Sequence, residues 1–297
     1  MMQRTKEGQC MAPPVQKIPV DAFGPAKDTR LFWLGQAGFM LNARGIILLL
    51  DPLLITRAGD PVLSETGSEM FAPWPIEAEQ IPRTDAVLYT HTDDDHLGPE
   101  TAKILMKLDP VFIGTPYCRD RLQELGASPV RCLSGVPLCT SKRGKNGNTF
   151  DIGEVVIEIL PADHPWQLLD PDAYGRVFGP EDCCGFRVTT MDGVFVFPGD
   201  TRLMKHHIEM QGVAVLALDV SQDPYHLGLQ GAAVLTKHLK DSLLIPYHYG
   251  TFRSDSPAHS GDPEEVLGGI EDGLRRGRIL APGQPLILRE GKEISAP

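Results

Sequence analysis

The chain carries His91-Thr92-Asp93-Asp94-Asp95-His96, two imidazoles and three carboxylates within six residues, directly after the apolar run Ala86-Val87-Leu88-Tyr89. Such side chains cannot be packed as core without a large desolvation cost, whereas a divalent cation offsets that cost directly. Other polar clusters follow apolar runs in the same way. Asp163-His164 comes after Val155 to Leu160, Gly199-Asp200-Thr201 after Val194 to Phe197, and His248 after Leu243 to Ile245. Four such loops meeting at one sheet edge would assemble about seven nitrogen and oxygen ligands, enough for two cations with open positions. Taken singly, His248 reads as a hydrogen-bonded structural histidine and Asp200 as an Asx-turn residue; their joint occurrence favours a metal centre. Paired cations polarise an attacked carbonyl or phosphoryl oxygen and activate water, so the chemistry implied is hydrolysis. Neither a G-x-S-x-G elbow nor a P-loop occurs, which leaves serine-hydrolase and nucleotide-phosphate mechanisms without support. Thiol catalysis by Cys183 or Cys184 would need a positioned histidine.

The elements that must hold these residues read as strands followed by alternating units. Leu31 to Leu34, Phe39 to Leu41 and Ile46 to Leu50 form an opening β-meander, with turns at Gly35 to Gly38 and Asn42 to Gly45. Asp51 to Thr84 is Pro-rich and too long for an idle connection, hence a candidate lid or substrate loop, with Phe71 and Trp74 as its aromatics. Ala86 to Tyr89 predicts a strand, and Pro99 opens a helix to about Leu108. Val111 to Gly114, a helix near Tyr117 to Leu125, and Val130 to Leu133 repeat the rhythm. Hairpin strands follow at Val155 to Leu160, Gly185 to Thr190 and Val194 to Phe197. Val213 to Leu218, a helix around Gln230 to Leu239, Leu243 to Pro246, and a helix from Pro263 to about Leu274 complete an α/β chain. Trp166 to Asp182 reads as an insertion. His206, His207, His238 and His259 have no partners in this pattern and read as surface residues.

Composition bounds the rest. A chain of 297 residues with 42% hydrophobic and 23% charged residues is a globular protein with ample core material; it is divided here into a lead-in, 1–27, and one domain, 28–297. The net charge of −11 opposes nucleic acid and anionic membrane as partners and favours a small-molecule substrate. Homo-oligomerisation stays open. No apolar run approaches a bilayer span, and the polar N-terminus has no secretion core, so a cytoplasmic location is expected. The six cysteines show no C-x-x-C pair and read as buried thiols.

Together with Trp33-Leu34-Gly35-Gln36-Ala37-Gly38-Phe39, Leu50-Asp51-Pro52, Pro161-Ala162-Asp163-His164 and Ile245-Pro246-Tyr247-His248-Tyr249, the His91 cluster and Gly199-Asp200-Thr201 resemble the metallo-β-lactamase superfamily. Within it, the chain looks like the ascorbate-6-phosphate lactonase-like branch. The resemblance covers roughly Arg30 to Ala281 and implies a four-layer αββα sandwich with a two-metal site on one edge. It implies that His91, Asp93 and His164 hold one metal, that Asp95, His96 and His248 hold the other, and that Asp200 bridges them, with Asp95 and Asp200 as the catalytic carboxylates. The family motif H-x-H-x-D-H has histidine where this chain has Asp93. A hard carboxylate oxygen there moves the preference from zinc towards manganese or iron. The branch further implies hydrolysis of a small ester or lactone, including a phosphorylated sugar lactone. Arg57, Arg202, Arg253 and Tyr247 are the candidate phosphate-recognition residues. His226, in the loop after Val213 to Leu218, is a candidate substrate contact, and Asp51 a candidate acceptor orienting a ligand imidazole. Asp94 reads as exposed or helix-capping. A phosphodiesterase, and a metal-poor binding or regulatory relative, are the alternatives.

Overall fold

The computed structural model describes residues 2–137, 148–165, 179–254 and 260–295. The meander is present as β1 (Thr29–Gly35), β2 (Gly38–Ala43) and β3 (Ile46–Leu50). The stretch after it contains only the short pair β4 (Thr56–Arg57) and β5 (Leu63–Ser64) and one 3-10 turn. Next come β6 (Ala86–Leu88), α1 (Pro99–Leu105), β7 (Val111–Gly114), α2 (Pro116–Glu124) and β8 (Cys132–Ser134). The second half runs β9 (Thr149–Ile152), β10 (Val155–Pro161), β11 (Cys184–Thr190), β12 (Gly193–Phe197), α3 (Lys205–Glu209) and β13 (Val215–Asp219). It closes with α4 (Gly228–His238), β14 (Leu243–Tyr247), α5 (Pro263–Gly268), α6 (Gly273–Arg276), β15 (Pro285–Arg289) and β16 (Lys292–Ile294).

The strands form an eight-stranded sheet, β16-β15-β1-β2-β3-β6-β7-β8, and a six-stranded sheet, β14-β13-β12-β11-β10-β9. Strand alternation in β1 explains how they stack: Leu31 and Trp33 point into the core shared with Phe186, Phe195 and Phe197 of the second sheet, while Phe32 and Leu34 join the outer core with Val87 and Phe112. Phe39 closes the middle layer against Phe197 and Tyr247 at centroid distances of 5.2 and 5.6 Å. With α1 and α2 outside the first sheet and α4 to α6 outside the second, the architecture is the αββα sandwich.

Strand direction decides where the polar clusters go. β3, β6 and β7 are parallel, as are β12, β13 and β14. β10 runs the same way as β12 because each is antiparallel to β11. The carboxyl ends of β3, β6, β10, β12, β13 and β14 therefore open on one edge of the sandwich.

Three differences from the sequence reading have local causes. The helix expected from Pro263 to about Leu274 stops at Gly268, beside Gly269, and resumes at Gly273, because paired glycines lack the propensity to carry it through. β9, β15 and β16 escaped notice; β15 pairs with β1 through only four residue pairs, too short a run to show a period. His207 is buried, not at the surface; His206 is half-buried beside it and His238 is exposed. His259, Cys139 and the aromatics Trp166 and Tyr174 lie outside the described residues.

The long stretch after β3 is anchored. Trp74 is buried, donates from Nε1 to the Ile55 carbonyl and packs edge-on against Phe252. Buried Glu65 accepts the backbone N–H groups of Glu100 and Thr101 and the Thr101 hydroxyl. A carboxylate on the first-turn N–H groups satisfies donors that α1 cannot satisfy itself. It thereby fixes the helix that follows His96.

Candidate metal centre

Each functional side chain leaves a strand end and is held by a neighbour. Asp51, following β3, accepts from Thr90 N–H and Thr90 Oγ1 at 2.8 and 2.7 Å. Its Oδ2 also lies 3.0 Å from His96 Nδ1. A carboxylate only accepts, so Nδ1 carries a hydrogen and Nε2 of His96 is the nitrogen that turns inward, towards Asp200. His91 Nδ1 is 2.9 Å from Thr90 Oγ1. His164 Nδ1 donates to the Tyr225 carbonyl at 3.2 Å. The loop carrying Asp200 is equally constrained. Gly199 has φ +70°, and a Cβ there would stand 2.5 Å from the Cys184 carbonyl, so only glycine fits the turn.

The inward atoms converge on Asp200. Its Oδ2 lies 3.1 Å from His96 Nε2, 3.3 Å from His248 Nε2, 3.7 Å from His226 Nε2 and 4.0 Å from His91 Nε2. Asp93 Oδ2 stands 3.2 Å from His91 Nε2 and 3.6 Å from His164 Nε2. Asp95 Oδ2 is 3.3 Å from His248 Nε2. The ligand atoms of His91, Asp93 and His164 lie within 4.8 Å of one another, and so do those of Asp95, His96 and His248. The structure thus brings together all seven sequence-predicted ligands in the two expected groups, with Asp200 between them.

The donor set fits cations on independent ground. His91 Nε2 and Asp200 Oδ1 are buried without a hydrogen bond, a costly state for polar atoms unless a cation sits among them. Electrostatics points the same way. Burial pushes the Asp200 carboxyl up, yet the imidazoles of His96, His248 and His226 outweigh it and hold the group well below the usual carboxylate range. Asp93 is lowered too, with His91 and His164 overcoming its burial. Conversely, burial pushes His96 and His248 down, but Asp200 raises both well above the ordinary imidazole range, helped by Asp95. Without metal the carboxylates favour protons on His96 and His248, which metal uptake must displace.

A cavity of about 530 Å³ opens over the cluster, with Gln36, Asp93, Asp95, His164, Asp200, His226, His248 and Arg253 among its lining residues. Asp94 is exposed at its rim. Among the residues expected to contact substrate, His226 and Arg253 line this cavity, and Arg253 is bound to Glu69 at 2.6 Å. The others are placed elsewhere. Tyr247 is buried and spends its hydroxyl on the Gly199 carbonyl at 3.0 Å. Arg202 is exposed and pairs with Asp163 at 2.8 Å, bracing two loops against each other. Arg57 is exposed on β4. Cys183 and Cys184 are buried thiols whose pKa burial pushes well up, which removes the thiolate a nucleophile needs.

Two residues of the site were not among the expected functional residues, although Gln36 belongs to the Trp33 to Phe39 motif. Gln36, in the β1–β2 turn, donates from Nε2 to Asp95 Oδ2 at 2.9 Å. Asp219 ends β13 and holds His226 Nδ1 at 2.6 Å. Gln36, Asp51 and His248 share a further feature: each is a non-glycine residue at positive φ, +45°, +41° and +66°. Strain of this kind persists where surrounding structure over-determines it; Arg44, Asp109, Asp272 and Glu290 share it away from the site.

The Asp51 contact gives a direct test. Asp51→Ala leaves His96 Nδ1 without its acceptor, and metal affinity is expected to fall about 10- to 100-fold. A competition titration against a chelator reads this; affinity equal to wild type would mean that Asp51 does not orient the ligand.

Comparisons with known proteins agree with the geometry. The family model described as the β-lactamase superfamily domain matches residues 49–249. A metal-dependent hydrolase of Anaeromyxobacter sp. (strain K) is 27% identical over 266 residues, covering 87% of this chain and 86% of that one. The N-acyl-phosphatidylethanolamine-hydrolyzing phospholipase D 1 of Caenorhabditis elegans is 28% identical over 194 residues, 63% of this chain and 51% of that protein. In fold, the chain is similar to the isothiocyanate hydrolase from Delia radicum gut bacteria, with a TM-score of 0.63 at 18% identity over 86% of this chain and 98% of that one. Among the described residues, no helix is long and apolar enough to cross a membrane.

Proposed function

Since the chain belongs to the metallo-β-lactamase superfamily and is a metal-dependent enzyme of hydrolase type, we propose that it hydrolyses a small ester or lactone using two divalent cations, with manganese favoured over zinc or iron. The observation that carries this reading is the meeting of four imidazole Nε2 atoms, from His96, His248, His226 and His91, around Asp200 Oδ2 beneath a substrate-sized cavity. His91, Asp93 and His164 would hold one cation, Asp95, His96 and His248 the other, and Asp200 both. When bound, such cations supply Lewis acidity towards a substrate carbonyl and an attacking water.

The remaining work falls to the chain. Asp51, Thr90 and the Tyr225 carbonyl fix the imidazole tautomers. Gln36 holds the Asp95 carboxylate by its Oδ2. The Asp95 side chain is 33% exposed and lines the cavity, so it stands within reach of an attacking water, while, against the desolvation of its site, His96 and His248 hold its carboxyl well below the usual range. The cationic charge over the cavity is small, because Arg253 is paired with Glu69 and lies 3.9 Å from Glu7. An uncharged ester or lactone therefore fits better than a phosphorylated sugar lactone. Asp93 supports the metal preference, since its carboxylate is a hard oxygen donor.

A phosphodiester is the second reading, favoured by the phospholipase D name of the C. elegans relative. Metal-stripped protein reloaded with manganese or zinc, then assayed on neutral lactones, p-nitrophenyl esters and bis-p-nitrophenyl phosphate, separates the two. The first reading expects ester or lactone turnover to dominate, highest with manganese. Dominant phosphodiester cleavage transfers the assignment to the second reading, and blank assays on protein that retains no metal overturn both.

A further inference from the structure

We propose that His226 is an additional metal ligand, joining His164 and Asp200 on the cation that Asp93 serves, so that an imidazole from the β13–α4 loop makes up for the one absent at position 93. The inference rests on the metal reading above and concerns a residue outside its ligand set.

Three observations carry it. First, the ligand atoms of His164, Asp200 and His226 lie within 4.8 Å of one another, the same closeness found in the two expected groups; those of Asp219, His226 and His248 do so too, but there Asp219 is taken up by His226 Nδ1. Second, His226 is oriented as His96 is. Asp219 Oδ2 lies 2.6 Å from His226 Nδ1, while Asp219 Oδ1 accepts the Ser221 N–H at 2.9 Å and is thereby fixed. The carboxylate can only accept, so Nδ1 bears a hydrogen and Nε2 is the nitrogen that faces the centre, 3.7 Å from Asp200 Oδ2, and can bind a cation in exchange for any proton it carries. A carboxylate behind Nδ1 and a shared carboxylate ahead of Nε2 is the arrangement that holds ligand histidines in metalloproteins. Third, the loop is tied to an expected ligand, because the carbonyl of Tyr225, the preceding residue, accepts from His164 Nδ1 at 3.2 Å. The two rings stand edge to face with centroids 5.2 Å apart. A histidine that only contacted substrate would need neither the shared carboxylate nor a backbone link to His164.

The chemistry is consistent with the substitution at position 93. Exchange of imidazole for carboxylate adds negative charge and removes a nitrogen donor; a neutral nitrogen from His226 restores the donor without adding charge.

The test uses the full chain, stripped and reloaded with cobalt(II) or zinc. Metal per chain, affinity by chelator competition, and the visible spectrum of the cobalt form are measured for wild type, His226→Gln and Asp219→Asn. The expected result is at least tenfold weaker binding of one cation and an altered cobalt spectrum in His226→Gln, with a smaller weakening in Asp219→Asn. Circular dichroism and thermal midpoints establish that the variants are folded, and Asp219→Asn, which retains the imidazole, reports on the site if His226→Gln is not. Unchanged affinity and spectrum with a raised KM overturn the proposal and make His226 a substrate contact. Wild-type protein that binds no cation overturns the metal reading itself, a result distinct from the first.

Discussion

Asp200→Ala is expected to lower kcat/KM by at least about 10³-fold, roughly 4 kcal/mol of transition-state stabilisation, and to reduce bound metal. The size follows from position. One oxygen, Oδ2, lies within 3.3 Å of the Nε2 atoms of both His96 and His248 and 4.0 Å from that of His91, so its loss removes a donor from both ligand groups at once. Removing any other ligand damages one group. The same carboxylate raises His96 and His248 against the burial that lowers them; without it both imidazoles lose proton affinity, so the variant should release fewer protons when it takes up metal. Asp200→Asn separates charge from shape, since the amide fills the same space beneath the Gly199 turn. If either variant keeps activity within tenfold of wild type at full metal occupancy, Asp200 does not join the two groups.

How far the site was legible depends on whether a residue announces its chemistry locally. His91, Asp93, Asp95 and His96 do, because charged and imidazole side chains crowded after an apolar strand are costly to pack as core. Asp51 could be read because it terminates the most apolar strand, Ile46–Leu50, and a turn-forming role left its carboxylate available. Asp219 ends β13 in the same manner, but its partner His226 lies seven residues on, across an irregular loop, and no periodicity links them. Gln36 carries no charge, and its place at the site follows only from β1 pointing the same way as β3 through two antiparallel pairings. Tyr247 was misplaced for a related reason. Neighbouring His248 faces the metals, whereas the Tyr247 hydroxyl turns to the Gly199 carbonyl, a contact set by the order β14-β13-β12 in the sheet. Strand and helix rhythm made an α/β chain readable, and the family resemblance implied its αββα layering. The edge strand β15 and the break between α5 and α6 were not, since short pairings and glycine interruptions leave no pattern over a long enough window.

The adjacent pair His206 and His207, half-buried and buried, predicts a loss of stability in mild acid that is independent of the metal centre. The five-residue helix α3 is too short to show an apolar face, which is why burial of His207 could not be read from the sequence. Their rings lie 3.9 Å apart. The Met204 N–H donates to His207 Nδ1 at 3.1 Å, while His207 Nε2 and both nitrogens of His206 are buried without a hydrogen bond. Burial pushes His206 down to about 4 and His207 down to about 3, the latter helped by the neighbouring imidazole. The unfolded chain takes up protons at the ordinary value of 6.5, so between pH 6.5 and about 4 it binds protons that the folded chain refuses. The stabilising contribution is thus complete above pH 6.5 and is lost as pH falls through this window, by about 3 kcal/mol for His206. Other groups bear on the same curve. His96, His248 and His226, raised in the metal-free centre, contribute stability that is present below pH 6.5 and lost as pH rises above it. Glu65, raised by burial above its ordinary 4.5, acts with the same sign at lower pH. Asp192, held at about 2 chiefly by its hydrogen bond to Arg44, acts only below the ordinary carboxylate value of 3.8. None of these is changed by substitution in α3. The difference in unfolding free energy between wild type and the variant His206→Gln/His207→Asn, measured in urea from pH 7.5 to 4.5, isolates the pair. It should stay constant above about pH 7 and shift against wild type by 2 kcal/mol or more, an order-of-magnitude figure, as acid is added. A flat difference would show that the two imidazoles are protonated as readily when folded as when unfolded.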